Sequence, residues 1–388
     1  MKVALFSNAI NHHQLPFALA MNSIPGVDYV YISTRPMSKE RISMGWLKYQ
    51  DYDFVLNAYE SKEKQKQAVQ IARTADIVLV GAAPMSYVDE RLRAGKIVFR
   101  SIERLFKQGT GRKAFPKNIL RVIKHRLWLY QGANLYFLAS SAYLSSDLNL
   151  YSNYRNKVFR WGYFTECKDL SYDDLLQKRS QHKKIVILWA ARFLELKHPE
   201  VPIMVAKYLK EKQYQFTLRM IGDGDFKSDL IKMVHDYNLD DVVSFLGLLA
   251  PNHVREQMED ADIFLFTSDF NEGWGAVLNE SMSSGCSVVS THSCGAAPFL
   301  IKDGLNGFLY RNGNQDEINS KVEYLLNNPN KRQEMGLQAF KYIRETWSPK
   351  VAANRLLALP ESFKDGKQLT LFHDGPCSPA PILKDDWY

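Results

Sequence analysis

The chain has 388 residues, 46% of them hydrophobic and 24% charged, with a net charge of +8. That length exceeds one ordinary core and suits two domains, and the composition is that of a soluble globular protein. Four cysteines (Cys167, Cys286, Cys294, Cys377) show neither a C-x-x-C spacing nor a matching histidine cluster, which argues against structural zinc or a disulfide framework and for a reducing cytoplasm. No apolar stretch approaches the roughly 20 residues of a membrane span.

The start, Met1 to Asn8, is too short in its apolar run for a signal peptide and reads as a first strand. It is followed by Asn11-His-His-Gln14 and a helical pattern through Leu15, Leu19 and Met21. Further strands are predicted at Tyr29–Ser33, Asp53–Asn57, Asp76–Gly81, Lys96–Arg100, Asn134–Ala139 and Val158–Trp161. Helical stretches such as Lys62–Arg73 and Asn118–Tyr130 lie between them. This alternation indicates a parallel sheet covered on both faces. Residues 163–183 are polar and mixed, and the domain joint is placed there.

The alternation then restarts, with strands at Lys184–Ala190, Gln215–Ile221, Val242–Leu246, Asp262–Thr267 and Cys286–Ser290. Helices are predicted over 199–212, 227–237, 251–259 and 276–284. The pattern gives two doubly wound α/β domains with a ligand cleft between them. We assign residues 1–170 to the first domain and 171–345 to the second. Residues 346–388 form a last helix and an irregular tail rich in Pro and Gly.

The stretch with most chemistry is Glu272-Gly-Trp-Gly-Ala-Val-Leu-Asn-Glu280. It follows the apolar strand Ile263–Phe266, so a strand, a glycine turn and a helix start come together. Backbone N–H groups and the positive end of the helix dipole then suit a phosphate or a sugar oxygen. Glu272 before the turn and Glu280 within the helix can bracket one ligand and accept from its hydroxyls. Ala190-Ala-Arg192-Phe-Leu-Glu-Leu-Lys197 lies at the carboxyl end of another strand, where Arg192 and Lys197 can converge on a diphosphate.

This ordered set resembles the retaining glycosyltransferases of the GT-B fold, family 4 (glycosyl transferases group 1), over residues 184–350. The resemblance implies two Rossmann-like domains facing a central cleft, with acceptor on the first and nucleotide-sugar donor on the second. It implies that Glu272 holds donor-sugar hydroxyls, Glu280 the ribose, and Arg192 and Lys197 the departing diphosphate. Gly222 and Gly224 in Ile221-Gly-Asp-Gly224, Gly247 near the base, and Gly273, Trp274, Gly275 and Ala276 complete the donor-binding candidates. Two departures stand out: Phe299 occupies a place often held by Glu, and Gly295-Ala296 replaces a glycine pair. The last helices of such proteins cross back over the first domain. No metal and no cofactor is expected.

Specificity is less readable in the first half. The glycine loop usual after strand one is replaced by Ser7-Asn-Ala-Ile-Asn-His-His-Gln14, and Val80-Gly-Ala-Ala-Pro84 lacks the family's histidine. His12, His13 and Glu103 are the acceptor-side candidates. Between Arg91 and Arg126 stand twelve Lys or Arg and one acid, Glu103, with apolar residues interleaved. Such a segment can lie on an anionic membrane face, whereas nucleic-acid binding would require a recognition module that is absent.

The resulting expectation is a cytoplasmic enzyme that can sit peripherally on the inner face of the cell membrane. It moves a sugar from a UDP- or GDP-linked donor to a glycan or lipid-linked acceptor in surface polysaccharide synthesis. A nucleotide-sugar epimerase or hydrolase on the same fold, and a non-catalytic scaffold subunit, are the alternatives.

Overall fold

Uninterrupted apolar runs such as Val3–Phe6 and Ile77–Val80 are buried along their whole length, as strands covered on both faces must be. The computed structural model describes residues 1–39, 42, 49, 51–107, 120, 127–150, 154–366 and 370–388. The chain divides into a first unit, Met1–Glu166 with Thr346–Asp385, and a second unit, Cys167–Glu345 with Asp386–Tyr388.

Among the described residues the first unit holds a seven-stranded parallel sheet, in the order β3-β2-β1-β4-β5-β6-β7. The strands are β1 (Lys2–Ser7), β2 (Asp28–Ser33), β3 (Val55–Asn57), β4 (Ile77–Val80), β5 (Val98–Ile102), β6 (Leu135–Ala139) and β7 (Val158–Arg160). Helices α1 (Leu15–Asn22), α2 (Lys62–Thr74), α3 (Asp89–Arg93) and α4 (Leu144–Asn149) connect them. Helix α2 begins where Ser61 accepts the Lys64 amide at 3.1 Å, a side-chain cap for one orphan donor. Residues Cys377 to Ala380 run along the edge strand β7, the Arg160 amide donating to the Ser378 carbonyl, and the Cys377 and Ala380 amides donating to the carbonyls of Arg160 and Val158. That pairing covers an otherwise open sheet edge.

The basic segment reads differently once folded. Arg91 is buried and donates to the carbonyls of Ala72, Ala75, Asp76 and Ile97 at 2.6–3.0 Å, tying the end of α2 to its neighbours. Arg100 lies inside the sheet, and Arg104 is fully enclosed against Asp147. These three cations are therefore interior groups, a correction to their place on a membrane-facing surface. Arg93, Lys96 and Lys107 are exposed. The remainder of the segment, 108–126 apart from Leu120, and with it most of the helix predicted over Asn118–Tyr130, lies outside the described residues.

The second unit holds six parallel strands among the described residues, in the order β10-β9-β8-β11-β12-β13. They are β8 (Ile185–Ala190), β9 (Phe216–Ile221), β10 (Val243–Gly247), β11 (Ile263–Phe266), β12 (Ser287–Thr291) and β13 (Phe308–Tyr310). Helices α5 (Tyr172–Arg179), α6 (Glu200–Glu211), α7 (Lys227–Asp236), α8 (Pro251–Asp260), α9 (Ala276–Ser283), α10 (Ala297–Leu300), α11 (Gln315–Asn327) and α12 (Pro329–Thr346) cover it. One core runs through Trp189, Phe193, Ile203, Phe216, Met220 and Leu265. Buried Arg179 donates to the carbonyls of Glu259, Ser284 and Gly285, closing the ends of α8 and α9 as Arg91 closes α2.

In both sheets the strand order reverses at one place, between β1 and β4 and between β8 and β11. Open α/β sheets bind ligands outside the carboxyl ends of their strands at such a switch point. Each unit therefore has one favoured location.

Candidate functional site

At the β8/β11 switch point the loop after β8 is held by the residue after β11. The buried Trp189 indole donates to the Thr267 hydroxyl at 2.8 Å, and that hydroxyl donates to the Lys197 carbonyl at 2.5 Å. The Asp269 amide donates to the Leu196 carbonyl at 3.0 Å, and the Glu272 amide to the Asp269 carbonyl at 3.0 Å. These bonds bring the two loops together so that the Lys197 ammonium donates to the Glu272 carboxylate. Both side chains are mostly enclosed, with 15% of each exposed, so the pair is screened less than a surface pair. Arg192, on the same loop, is exposed and makes no side-chain hydrogen bond or ion pair with a described residue.

His198 follows in the left-handed region (φ 47). Its Nδ1 lies 3.0 Å from Glu200 and its Nε2 3.5 Å from Asp269. Hydrogen bonding to Asp269, then to Glu200, pushes the imidazole up to about 9, so it is a cation at neutral pH. Burial works to raise Asp269, but its bonds from His198 and Asn271 outweigh this and hold it low.

The glycine turn follows from steric necessity. Gly275 caps α9 at φ 88, and a Cβ there would meet Phe266 at 2.5 Å and the Cys294 sulfur at 3.2 Å. The first turn of α9 then presents N–H groups next to Glu272. Glu280, one turn further, is partly buried. Burial pushes its carboxyl up to about 7, with Arg255 pulling the other way.

At the β1/β4 switch point, the first unit has a cavity of about 960 Å³. Its walls come from the ends of β1, β4, β5 and β6, including Asn8, Gly81, Glu103 and Ser140. Tyr163 donates to the Glu103 carboxylate at 2.7 Å, and its ring lies parallel to His13 at 6.2 Å. Both acceptor-side candidates that line the cavity thus meet through a tyrosine not singled out in the sequence. His12 does not line it, but its ring is 3.9 Å from that of His13. The loop carrying Glu103 is anchored from below. Buried Asp147 accepts the amides of Leu105 and Phe106 at 2.7 and 3.0 Å and a guanidinium N–H of Arg104 at 3.2 Å.

Comparison with known proteins turns on the second unit. Residues 173–342 match the family described as glycosyl transferases group 1. The match covers most of the second unit and less than half of the chain. A colanic acid biosynthesis glycosyltransferase of Escherichia coli, WcaL, described as putative in its name, is 34% identical over 128 residues, 32% of this chain and 31% of that protein. The amylovoran biosynthesis glycosyltransferase AmsK of Erwinia amylovora is 32% identical over 166 residues, 42% of this chain and 39% of that one. The chain thus aligns with only about a third of the length of these relatives. HepE of Anabaena, solved with UDP, matches 93% of this chain and 100% of its own at a TM-score of 0.67 and 17% identity. It has also been solved with UDP-glucose. At that identity the likeness shows the fold, which is GT-B, two parallel-sheet Rossmann-like units.

Within the second unit, the remaining predicted donor contacts separate into two kinds. Gly222 and Gly224 have no room for a side chain because the loop after β8 fills it. A Cβ on Gly222 would stand 1.9 Å from the Ala191 carbonyl oxygen, and one on Gly224 2.6 Å from that of Phe193. These glycines let the Arg192 loop approach. Trp274 is fully buried, its indole donating to Asn279 at 2.8 Å and its ring packing near Phe299. Its side chain is core, so this position offers a ligand its backbone alone. Gly247 (φ 70) has open space where its Cβ would be, and Ala276 at the start of α9 is partly exposed, whereas Gly273 is buried. Thr267, Trp189, His198, Asp269 and Arg255 were not singled out; most lie beside the motifs, but their contacts, such as Trp189 with Thr267 and His198 with Asp269, cross from one loop to the other.

Among the described residues, no three His, Cys, Asp or Glu side chains are grouped to hold a metal ion. Nor is any described helix long and apolar enough to cross a membrane.

Proposed function

We propose that the chain is a retaining glycosyltransferase that moves a sugar from a UDP-linked donor to a hydroxyl of a glycan or lipid-linked acceptor, in polysaccharide biosynthesis. The observation that carries this is the meeting of Lys197 and Glu272 at the β8/β11 switch point, beside the N-terminus of α9. A cation for a departing diphosphate and a carboxylate for sugar hydroxyls stand in contact, on loops fixed by the Trp189–Thr267–Lys197 hydrogen bonds.

The work asked of the site is electrostatic. Arg192, Lys197 and the helix N-terminus take up the charge that develops on the diphosphate as the glycosidic bond breaks, and no metal is required. Glu272 exchanges its bond with Lys197 for bonds from the sugar hydroxyls, so donor binding parts the ion pair. Glu280 accepts from the ribose. Retention follows from attack on the face the diphosphate leaves. UDP is preferred to GDP here because HepE, which shares the fold over nearly the whole chain, was solved with UDP and UDP-glucose. The relatives' names, colanic acid and amylovoran biosynthesis, support a polysaccharide acceptor.

The test is a panel of sugar nucleotides followed for slow donor hydrolysis and for transfer to glycan acceptors, with and without EDTA. Transfer unaffected by EDTA and giving the donor's anomeric configuration is expected. Release of an altered sugar nucleotide without acceptor indicates an epimerase, and no binding of any nucleotide indicates a scaffold.

A further inference from the structure

The cavity at the β1/β4 switch point carries an imbalance of charge that the donor chemistry does not use. Among its described lining residues, Arg35, Arg100, Arg104 and Lys107 face a single carboxylate, Glu103. Arg104 is committed to Asp147 at 3.2 Å and Asp385 at 3.1 Å, both within the same unit, and its guanidinium stacks over Tyr143. The charge of Glu103 is partly met by the Tyr163 hydroxyl. Arg35 and Lys107 are exposed and make no side-chain hydrogen bond or ion pair with a described residue. These two exposed cations leave the described lining of the cavity positive. The amides and hydroxyls of Asn8, Asn11 and Ser101 supply neutral partners suited to sugar hydroxyls.

We propose that this cavity seats an anionic acceptor, a sugar that carries or adjoins a carboxylate or phosphate, with Arg35 and Lys107 holding the anion. This rests on the glycosyltransferase reading and sharpens it by naming the charge of the acceptor. A low-dielectric wall behind exposed cations focuses the field outward, so a charged acceptor is favoured over a neutral one of equal size. A charged partner strengthens each hydrogen bond it accepts, which is enough for about tenfold discrimination per contact. Two sources could supply the anion: the carboxylate of a uronic acid, or the diphosphate of a lipid carrier.

The experiment compares matched probes on the full chain by calorimetry: methyl glucuronide with methyl glucoside, and geranyl diphosphate with geraniol. It is repeated on the double variant Arg35→Gln, Lys107→Gln, whose changed side chains are exposed. UDP is titrated into both proteins as a separate readout. At least one anionic probe should bind the unaltered protein about tenfold or more tighter than its neutral partner, and lose that advantage in the double variant while UDP affinity stays the same. A preference confined to the glucuronide identifies a uronic acid, and one confined to geranyl diphosphate identifies a lipid diphosphate. The proposal is overturned by equal binding of charged and neutral probes, or by a preference that survives the double substitution. It is equally overturned if UDP affinity falls with that of the probes, which would give the cavity to the nucleotide. Failure of UDP to bind the unaltered protein contradicts the donor reading instead.

Discussion

The β1/β4 and β8/β11 switch points occupy the same place in two sheets of the same strand order, but their loops are built differently. In the second unit the loops press on one another: Gly222 and Gly224 exist because the backbone of residues 191–193 fills their side-chain space. Gly275 lacks a side chain because Phe266 and Cys294 are in the way. In the first unit the loops stand apart around a cavity, and side chains such as Glu103, Tyr163 and His13 form its walls. Backbone crowding admits few residue types, so it fixes a pattern; a side-chain wall admits many. The first arrangement suits a ligand part common to many substrates, the second a part that varies.

That contrast can be attacked first at the Lys197–Glu272 contact. Lys197→Ala should lower transfer by about 100- to 1,000-fold, the usual cost of one charge-stabilising donor, with the fold intact by circular dichroism. Glu103→Gln should affect acceptor use and leave slow donor hydrolysis unchanged; equal loss in both assays would erase the distinction between the two locations.

Crowding itself is tested by glycine substitutions. Gly222→Ala should destabilise the second unit by about 3 kcal/mol or more, since backbone must move to admit the methyl group. Gly247→Ala, strained in φ but with nothing within 4 Å, should cost only about 1–2 kcal/mol. Denaturant melts of the two variants separate a packing glycine from a merely conformational one.

Glu280 links stability to binding. Its carboxyl is raised from 4.5 to about 7, so the folded protein resists ionising it. That cost is absent below pH 4.5, grows as pH rises through 7, and is then constant. Glu280→Gln should therefore melt higher than the unaltered protein at pH 8, and at the same temperature at pH 4. Its UDP affinity should fall about tenfold or more if the ribose bonds to the carboxylate.

The smallest effect concerns His198. Its imidazole is raised to about 9 by Asp269 and Glu200. The stabilisation is full below the ordinary value of 6.5 and fades as pH rises through 9. His198→Asn, which tolerates the left-handed backbone, should melt a few degrees lower at pH 6 and show no difference above pH 10. A constant difference across that range would deny the imidazolium its role.

The same contrast explains what could be read from the sequence. The predicted strands recur to within two residues at each end, because fully buried parallel strands demand continuous apolar runs such as Ile263–Phe266, whereas β13 and α5 were not foreseen. In the second unit the motif residues are local to strand ends, so Lys197 and Glu272 could be named before their contact was known. In the first unit Tyr163 and Glu103 are 60 residues apart and meet only through the sheet. Arg91, Arg100 and Arg104 looked like a surface because periodicity does not show that carbonyls, or a buried Asp147, are waiting inside.

Hydrogen–deuterium exchange with and without UDP reads both switch points at once. Slower exchange over residues 191–198 and 268–280, with 8–14 and 81–86 unchanged, is the outcome this reading requires. Protection of the first unit's loops alone would contradict it.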